Sequence, residues 1–489
     1  MSEREACDAI VIGAGPSGLA AAAYLAKAGL SVTVLEAVSL PGGAAANTVS
    51  VGDLLVPAGP HTLCALDPQM VKDLKLVRRG LKFAARDTAL VGLIADGKPL
   101  VLGRDVHATA QSIAASSARD AERIGAFRKE LLAFARAMRA AWWEEGAVGD
   151  AAQSDELRRL SLTSAAAFCD GAFESDALKS VCAFDAMAGG MSPGDAGSAL
   201  LFAWRAAQEM CGLQGAVAVP RGGMAALAKV LVAAAQDAGA RIETNSPVAA
   251  ISILGEAVSG VVLSSGEQIA ARLVLSSLPR GRSLLDLAPA GRAGFAASSA
   301  LLDQAAKVGE GKLVLLLNAM PGFAALQPSA RFVIAERLEN SVAAFAEARA
   351  GRMPADLALE AIIPTAFDPT LAPPGQHIVS VRIAPLPVAP REGWHALAPK
   401  LSDTVLTAFE HFAPGLKSTL VAQHFVAPDP GQELLSAAHI TASWRARIQT
   451  PIDGLLLCGT AAEPVPLLSG RAARIAARIG AAHFKGEAR

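Results

Sequence analysis

The chain has 489 residues, with 44 lysines and arginines against 45 aspartates and glutamates, and therefore a formal net charge of -1. A near-neutral chain has no overall attraction to nucleic acid or to an anionic membrane, so any charged partner must be met locally. Its 52% hydrophobic and 18% charged residues exclude a disordered chain, and its length predicts two or three domains, or one large domain with an inserted one.

The N-terminal residues and the cysteine spacing bear on the compartment. Acidic residues precede a strand that begins almost at once, whereas a signal peptide starts with a basic region. The longest uncharged runs, 9–26 and 313–330, contain Gly and Pro near their middles, which argues against spanning helices. The six cysteines lie far apart without a C-x-x-C pair, so we expect free thiols and neither a dithiol centre nor a metal site. We expect a cytoplasmic protein, and the apolar surplus leaves open a peripheral association with a membrane.

The first predicted unit is a strand, a helix and a second strand. Residues 8–12 form a short apolar strand, residues 17–28 an Ala-rich helix and residues 31–35 a β-branched strand. A Gly-Gly pair at 42–43 follows, where small residues let a second backbone segment approach the same ligand or merely make a turn. The pattern indicates a βαβ unit.

The turn of this unit carries a dinucleotide motif. Gly13 permits the tight turn, Gly15 lets the backbone approach a pyrophosphate and Gly18 lets helix and strand pack closely. Glu36 lies 18 residues after Gly18, where an acid can accept from ribose hydroxyls. An acid there favours a free 2′-OH, and hence FAD or NAD rather than NADP.

The middle of the chain changes character twice. Residues 105–215 predict an inserted helical cap, because Ala, Leu, Phe and Met recur at three- and four-residue spacing. A βαβ-like pattern then returns, with a helix that ends at Gly239 and strands at 241–243, 248–253 and 273–278.

Residues 295–440 mix strands and helices between Pro-rich connections, and we interpret them as a substrate domain. The predicted strands are 312–317, 357–363 and 377–383, and the predicted helices lie near 338–350 and 396–412.

The last segment again predicts a strand, a loop and a helix. Residues 451–460 form a turn, an apolar strand and a run of small residues, and Ser469 is a candidate N-cap. Arg471, Arg474 and Arg478 recur at helical spacing, and we interpret the outer two as a solvated helix face.

These motifs resemble a known group of flavoproteins. Residues 13–18, Glu36, and residues 41–45 and 57–62 are similar to the FAD-binding region of phytoene desaturase-like proteins, a superfamily that also contains carotenoid isomerases and retinol saturases. Through residues 76–83 and the Gly-Gly-Ala-Ala run, the chain most resembles the pyridine nucleotide-disulfide oxidoreductase-like branch, which is related to flavin-containing amine oxidoreductases and carotenoid desaturases. No dithiol supports that branch's name here.

The resemblance implies FAD and an α/β fold in which a Rossmann-like FAD-binding domain is assembled from discontinuous segments, with an inserted α+β substrate domain and a helical cap. The implied FAD segments are 1–104, 216–294 and 441–489, with the cap and first substrate part at 105–215 and the second substrate part at 295–440. It places the Val248 backbone at the adenine, Gly459 near the pyrophosphate and the final helix start beside the flavin ring. The implied cofactor contacts are Gly13, Gly15, Pro16, Ser17, Gly18, Glu36, Ala37, Gly42, Gly43, Ala44, Ala45, Pro60, His61, Thr62, Val248, Gly459, Thr460 and Gly470.

One stretch departs from the resembled pattern. Those flavoproteins place His-Pro and a Gly-rich run against the flavin, whereas this chain has Glu463 followed by Pro-Val-Pro-Leu-Leu at 464–468. Glycine permits close backbone approach, but valine, proline and leucine do not. We therefore expect a reshaped pocket at the reactive end of the flavin, or weaker binding there.

Together these features predict an FAD-dependent oxidoreductase that acts on a largely apolar small molecule by hydride transfer to or from flavin N5. Because no second G-x-G-x-x-G motif is present, we expect an electron acceptor such as oxygen or a quinone. Two alternatives stay open: a carotenoid- or retinoid-type desaturase or isomerase, and a catalytically altered flavoprotein that acts as a binding or assembly partner.

Basic residues between 72 and 82 predict a solvated face and no nucleic-acid site. The sequence pattern assigns no catalytic residue, and neither His61 nor Glu463 is given a catalytic role. It also predicts no oligomeric state.

Overall fold

The computed structural model describes residues 6–95, 97–143, 155–187, 189–303, 306–323, 326–335, 337–431 and 434–486. Its β-strands are β1 (Ala9–Ile12), β2 (Val32–Leu35), β3 (Thr48–Val51), β4 (Leu54–Pro57), β5 (Phe83–Ala85), β6 (Leu90–Gly92), β7 (Leu100–Leu102), β8 (Glu209–Met210), β9 (Leu213–Gln214), β10 (Val219–Pro220), β11 (Arg241–Glu243), β12 (Val248–Leu254), β13 (Ala257–Leu263), β14 (Gln268–Ala270), β15 (Leu273–Ser276), β16 (Val308–Leu317), β17 (Arg331–Ile334), β18 (Ala358–Ile362), β19 (His377–Pro387), β20 (Leu420–Val426) and β21 (Leu455–Leu457).

The α-helices are α1 (Pro16–Lys27), α2 (Pro68–Asp73), α3 (Val106–Ala114), α4 (Ala118–Trp143), α5 (Asp155–Leu162), α6 (Ala165–Asp170), α7 (Asp176–Phe184), α8 (Ala199–Ala207), α9 (Gly223–Asp237), α10 (Phe295–Asp303), α11 (Leu338–Arg349), α12 (Pro364–Phe367), α13 (Trp394–Phe412), α14 (Ala437–Thr441), α15 (Trp444–Ile448) and α16 (Arg471–Phe484). Short 3₁₀-helices cover Gly43–Ala45, Pro369–Leu371, Lys417–Thr419 and Thr460–Ala462, and a π-helical turn covers Arg282–Leu287.

A five-stranded parallel sheet in the order β11-β2-β1-β15-β21 forms the first layer. Its strands are short apolar runs because both of its faces are covered. On β1, Val11 packs in one core with helices α1, α9 and α16. The side chain of Ile10 points to the opposite face, where it packs with residues of the antiparallel sheet β12-β13-β14. Strands from three separate stretches of the chain build this sheet, and the predicted α/β fold class is confirmed.

A seven-stranded sheet in the order β20-β16-β19-β18-β17-β6-β7 forms the second body. It contains the strands predicted between 312 and 383, and its apolar face packs on α13 through Leu313, Val381 and Phe409. The sequence placed residues 90–102 in the first FAD segment, but β6 pairs in parallel with β17, and β7 pairs with β6. These strands join the second sheet because β6, a short buried apolar strand, pairs with the edge of β17 that would otherwise be open.

Helices α4 to α8 form a cap whose core contains Phe134, Trp142 and Trp204. The cap is built on amphipathic helices whose apolar sides meet there, as their spacing predicts. Among the helices in the described ranges, none combines the length and the apolar character that a bilayer span requires.

Candidate functional site

A cavity of about 620 Å³ lies where parallel strands β1, β2 and β15 end. Open parallel sheets bind their ligands at this edge, because the loops that follow the strands diverge there. The volume is in the usual range of small-molecule and cofactor sites. The cavity is lined by Ile12, Gly13, Gly15, Pro16, Ser17, Leu35, Glu36, Ala37, Gly43, Ala44, Ala45, Pro60, Met224, Pro247, Val248, Ser277, Leu278, Arg282, Leu287, Thr460, Pro466, Leu467 and Leu468.

Most of the residues implied by the resemblance therefore come together around one cavity. Those that do not line it are Gly18, Gly42, His61, Thr62, Gly459 and Gly470. Three of these glycines allow two segments of the chain to pack closely. A Cβ at Gly18 would clash with the carbonyl of Gly13, and a Cβ at Gly459 would clash with the carbonyl of Ser277. Gly470 packs in the same way against Met70.

Gly15 and Gly43 form an open cradle beside the start of α1. A Cβ on Gly15 would meet no protein atom within 4 Å, so it would stand in the cavity. A Cβ on Gly43 would lie 3.0 Å from the Cα of Gly15, so glycine is required for the two backbones to approach. The N-cap of α1 makes no side-chain hydrogen bond, which leaves amides of its first turn available to an anion.

Glu36 lies at the end of β2 with 9% of its surface exposed. Its Oε2 accepts from the amide of Ala14 at 2.8 Å, and its Oε1 accepts from the amide of Val38 at 3.2 Å. Each carboxylate oxygen can accept a second hydrogen bond, which leaves capacity for ligand hydroxyls. The side chain thus also fixes the glycine turn, a role that the motif spacing does not reveal.

The 464–468 run approaches the cavity through its side chains. Pro466, Leu467 and Leu468 line the wall where the resembled proteins have glycines. Glu463 does not reach the cavity: it is fully buried, and its Oε1 accepts from the amide of Ala472 in the first turn of α16 at 2.8 Å.

The interpretation of Arg471 as a solvated residue is wrong. Only 1% of Arg471 is exposed, and its guanidinium lies 4.6 Å from the ring centroid of Trp143 in the cap. It is buried because the start of α16 is covered by the cap, whereas the exposed Arg478 lies two turns farther along the helix. Arg474, between them, pairs with Asp67 at 2.8 Å.

His61 contacts a buried lysine that the sequence analysis did not single out. The Nζ of Lys312 on β16 donates to the carbonyl oxygens of Pro57 at 2.8 Å and Ala58 at 3.2 Å, and lies 3.0 Å from the Nε2 of His61. Burial lowers the pKa of Lys312 to about 7. Burial, and then the lysine charge, lowers the pKa of His61 well below its usual value. The adjoining Pro60 lines the cavity, so this pair lies just behind its wall.

Other lining residues were also missed. Ser277 and Leu278 follow β15, and Arg282 lies in the π-helical turn after it. Ser277 donates through its hydroxyl to the carbonyl of Ile12 at 2.9 Å, which ties the ends of two parallel strands together. The signal that could have found them is the rule that ligands bind beyond the carboxyl ends of such strands.

A family model described as flavin-containing amine oxidoreductase matches residues 16–298, which is more than half of the chain. The chain belongs to the flavin-containing amine oxidoreductase family. It is 30% identical to pyridine nucleotide-disulfide oxidoreductase domain-containing protein 2 of Mus musculus, over 96% of this chain and 93% of that protein. It is also 29% identical to a phytoene dehydrogenase of Streptomyces griseus, over 86% of this chain and 82% of that protein. The resemblance proposed from the motifs is thus confirmed.

Solved structures agree on the fold. An oxidoreductase from Methanosarcina mazei matches with a TM-score of 0.67 at 17% identity, over 96% of this chain and 99% of that one. A putrescine oxidase bound to putrescine matches with a TM-score of 0.64 at 17% identity, over 99% of each chain. This family member is an FAD-dependent oxidoreductase, as predicted.

The cavity fits that cofactor on its own geometry. The open cradle at Gly15 and Gly43 has room for a pyrophosphate beside uncapped amides of α1. Glu36 keeps acceptor capacity for ribose hydroxyls, and Val248 lines the same cavity near the end of β2. When bound, FAD supplies the hydride donor or acceptor that side chains lack.

Proposed function

We propose that this FAD-dependent oxidoreductase acts on a largely apolar small molecule by hydride transfer between a substrate C–H bond and flavin N5. The observation that carries the proposal is the apolar wall formed by Pro466, Leu467 and Leu468 together with Leu278 and Leu287. Such side chains favour an apolar ligand and exclude water, which protects a hydride from loss to solvent.

A charged side chain in this wall tests the proposal. Leu467, 36% exposed, is the member most open to the cavity and solvent, so Leu467→Asp should fold. With FAD saturating, we expect the KM for an apolar substrate to rise roughly tenfold, since a carboxylate in the wall opposes apolar contact. Leu254→Asp, at an exposed position away from the cavity, is the matched control. An unchanged KM in the Leu467 variant would contradict the apolar assignment.

Carotenoid-type desaturation is a second candidate. The similarity to a phytoene dehydrogenase over most of both chains favours it. All of these oxidations remove two hydrogens, so the products are separated by NMR: a desaturase would give a new carbon-carbon double bond, whereas an oxidase acting on an amine or alcohol would give an imine or carbonyl. Family membership supports an enzyme over the non-catalytic alternative.

As electron acceptor we propose oxygen or a quinone. The support is the sequence, which has no second G-x-G-x-x-G motif to hold a nicotinamide dinucleotide. Rapid mixing of the reduced enzyme with oxygen, a soluble quinone or NAD(P)⁺ separates these acceptors. Fast reoxidation by NAD(P)⁺ alone would contradict this proposal.

A further inference from the structure

Behind the cavity wall, three charged side chains form a buried cluster. Glu463 is 0% exposed, and Arg447 and Arg471 are each 1% exposed. We refer to these three residues as the arginine cluster and to residues 464–468 as the cavity loop. Charges without access to water need compensation from each other and from hydrogen bonds.

Glu463 is held through both its side chain and its backbone. Its carboxylate accepts from the amide of Ala472. Burial raises the pKa of Glu463, and Arg471 and then the nearby Ser469 hydroxyl oppose this shift. Its carbonyl oxygen accepts from Nε2 of His439 at 2.8 Å. Burial lowers the pKa of His439 to about 4, so this ring is a neutral donor and adds no charge.

Arg447 binds the chain just before Glu463. Its Nε donates to the carbonyl of Ala462 at 3.2 Å, and its Nη1 donates to the carbonyls of His439 and Ala442. Its guanidinium lies 4.4 Å from the ring centroid of Trp444. Arg447 therefore fixes the position of the segment that ends at Ala462, just before Glu463 and the cavity loop.

Arg471 approaches from the other side. Its amide donates to the hydroxyl of Ser469 at 2.9 Å, and its guanidinium contacts the carbonyl of Trp142 at 3.5 Å. Asp67, which also acts on the charge of Arg471, is already paired with Arg474. Asp67 acts on the charge of Arg471 more strongly than Glu463 does, and Glu463 is the acid that acts on both arginines of the cluster.

The arginine cluster contains further buried polar atoms, one hydrogen-bond acceptor and two donors. Among the described residues, Oε2 of Glu463, Nη2 of Arg447 and Nε of Arg471 have no hydrogen-bond partner. The charges of Glu463, Arg447 and Arg471 act on one another in this region without solvent, where electrostatic attraction is weakly screened. Removing the negative charge would leave two buried cations near each other.

The cavity loop starts at this cluster and ends at it. Its first residues follow Glu463 directly, and Ser469, which contacts both Glu463 and Arg471, follows its last. Between them, Val465 is buried in the cap core, whereas Pro466 and Leu467 line the cavity. The position of the cavity wall is therefore set by groups that do not themselves line it.

We propose that Glu463 is a positioning residue for the cofactor: through the hydrogen bonds of its carboxylate to Ala472 and of its carbonyl to His439, it holds the cavity loop and the first turn of α16 in the arrangement that binds the flavin. The inference rests on FAD as cofactor and is independent of the substrate.

The test is Glu463→Gln, which keeps the shape and one acceptor for the Ala472 amide but removes the charge. We expect FAD to bind about tenfold more weakly, the effect of losing one charge-assisted interaction. We also expect altered visible absorption and circular dichroism of the bound oxidised flavin, because the wall beside it moves. FAD affinity is measured by titrating the apoprotein of the full chain.

Glu360→Gln is the matched control. Glu360 is a carboxylate that pairs with two arginines, Arg331 and Arg382, on the seven-stranded sheet, and none of the three lines the cavity. We expect it to lower stability while leaving the flavin spectrum and FAD affinity unchanged. An equal effect of the two variants on the flavin would show that any buried charge loss suffices, and would overturn the proposal.

Ser469→Ala covers the case in which Glu463→Gln does not fold. It removes one partner of the carboxylate and keeps the charges, so a smaller change of the flavin spectrum in the same direction is expected. Wild-type FAD affinity and spectrum in the variants that fold would also overturn the proposal. Because these readouts use the oxidised flavin without substrate, they stay interpretable if the apolar-substrate proposal fails.

Discussion

Glu36 shows how one side chain can link a strand end to a glycine turn. Its carboxylate accepts from the amides of Ala14 and Val38, and it borders the cavity together with Ala37. Few other groups could hold the Ala14 amide, because the turn around it is built from glycines. The same carboxylate is therefore needed for the shape of the turn and for ribose binding.

Glu36→Ala should weaken FAD binding strongly. It removes the ribose acceptor and leaves the Ala14 amide without its partner, and each loss is worth about 1–3 kcal/mol. Glu36→Gln keeps acceptors and should lose less. The measurement is FAD retention on gel filtration and FAD titration of the apoprotein, with the exposed Glu256→Ala as control. Full flavin occupancy in Glu36→Ala would count against the ribose role.

Lys312 should make stability depend on pH. Its pKa is about 7 in the folded protein, whereas an exposed lysine in the unfolded chain titrates at about 10.4. Between these values the unfolded chain binds one more proton, so stability rises with pH by about 1.4 kcal/mol per unit. Lys312→Met should lack this slope in urea unfolding.

The control for Lys312→Met is Lys229→Met, at an exposed position on α9. It should keep the slope of the wild type. A stability difference between Lys312→Met and the wild type that stays constant from neutral to alkaline pH would show that Lys312 is not desolvated in this way.

Some residues of the site could be predicted from the sequence and others could not. Gly15 and Glu36 were found because their roles depend on local spacing within one βαβ unit. Arg282 in the cavity lining and Lys312 behind it were missed because they reach these places only after distant segments pack together. Arg471 was misjudged for the same reason, since helical spacing cannot show that the cap covers the start of α16.

At the scale of elements, the start of α16 is fixed from several directions. The amide of Asp67 donates to the carbonyl of Ser469 at 2.8 Å, and Arg474 pairs with the Asp67 side chain. Gly470 has a φ of +78° and packs on Met70. Small size and left-handed backbone are both required there, which ties α16 closely to α2.

Gly470→Ala should therefore destabilise the protein by two effects. The left-handed φ costs an alanine about 1–2 kcal/mol, and the clash with Met70 adds about 1–3 kcal/mol. Gly239→Ala is the matched control, since Gly239 has a φ of +100° but open space around its Cβ position. The free energies of unfolding in urea should differ by the clash term. Equal losses in both variants would mean that Met70 moves aside freely.

Helices and strands could be predicted where the hydrophobic pattern of their own residues is sufficient. The alternation and length of β16, β18 and β19 and the periodicity of α11 and α13 gave their approximate bounds. The short strands β6 and β7 lie within the segment 1–104, and their place in the seven-stranded sheet could not be predicted because the pairing partner β17 is far away along the chain. Short apolar runs carry no information about which sheet they join.

At the scale of the whole molecule, one cavity collects the ends of strands from separate parts of the chain. The first part supplies the glycine turn and Glu36, the second supplies Val248 and Ser277, and the last supplies the cavity loop. The seven-stranded sheet contacts the segment behind this cavity through Lys312 and His61. Near-neutral charge and an apolar surplus fit such an enzyme, whose substrate we propose to be held by apolar contact rather than by charge.

The most direct test of this account is anaerobic mixing of the FAD-loaded wild-type enzyme with paired donors of matched reactivity, one apolar and one charged. Loss of the visible absorbance of the flavin reports hydride transfer in a single turnover. We expect rapid reduction by apolar donors and little reduction by their charged counterparts. Reduction by charged donors alone, or a bound flavin that none of the apolar donors reduces, would contradict it.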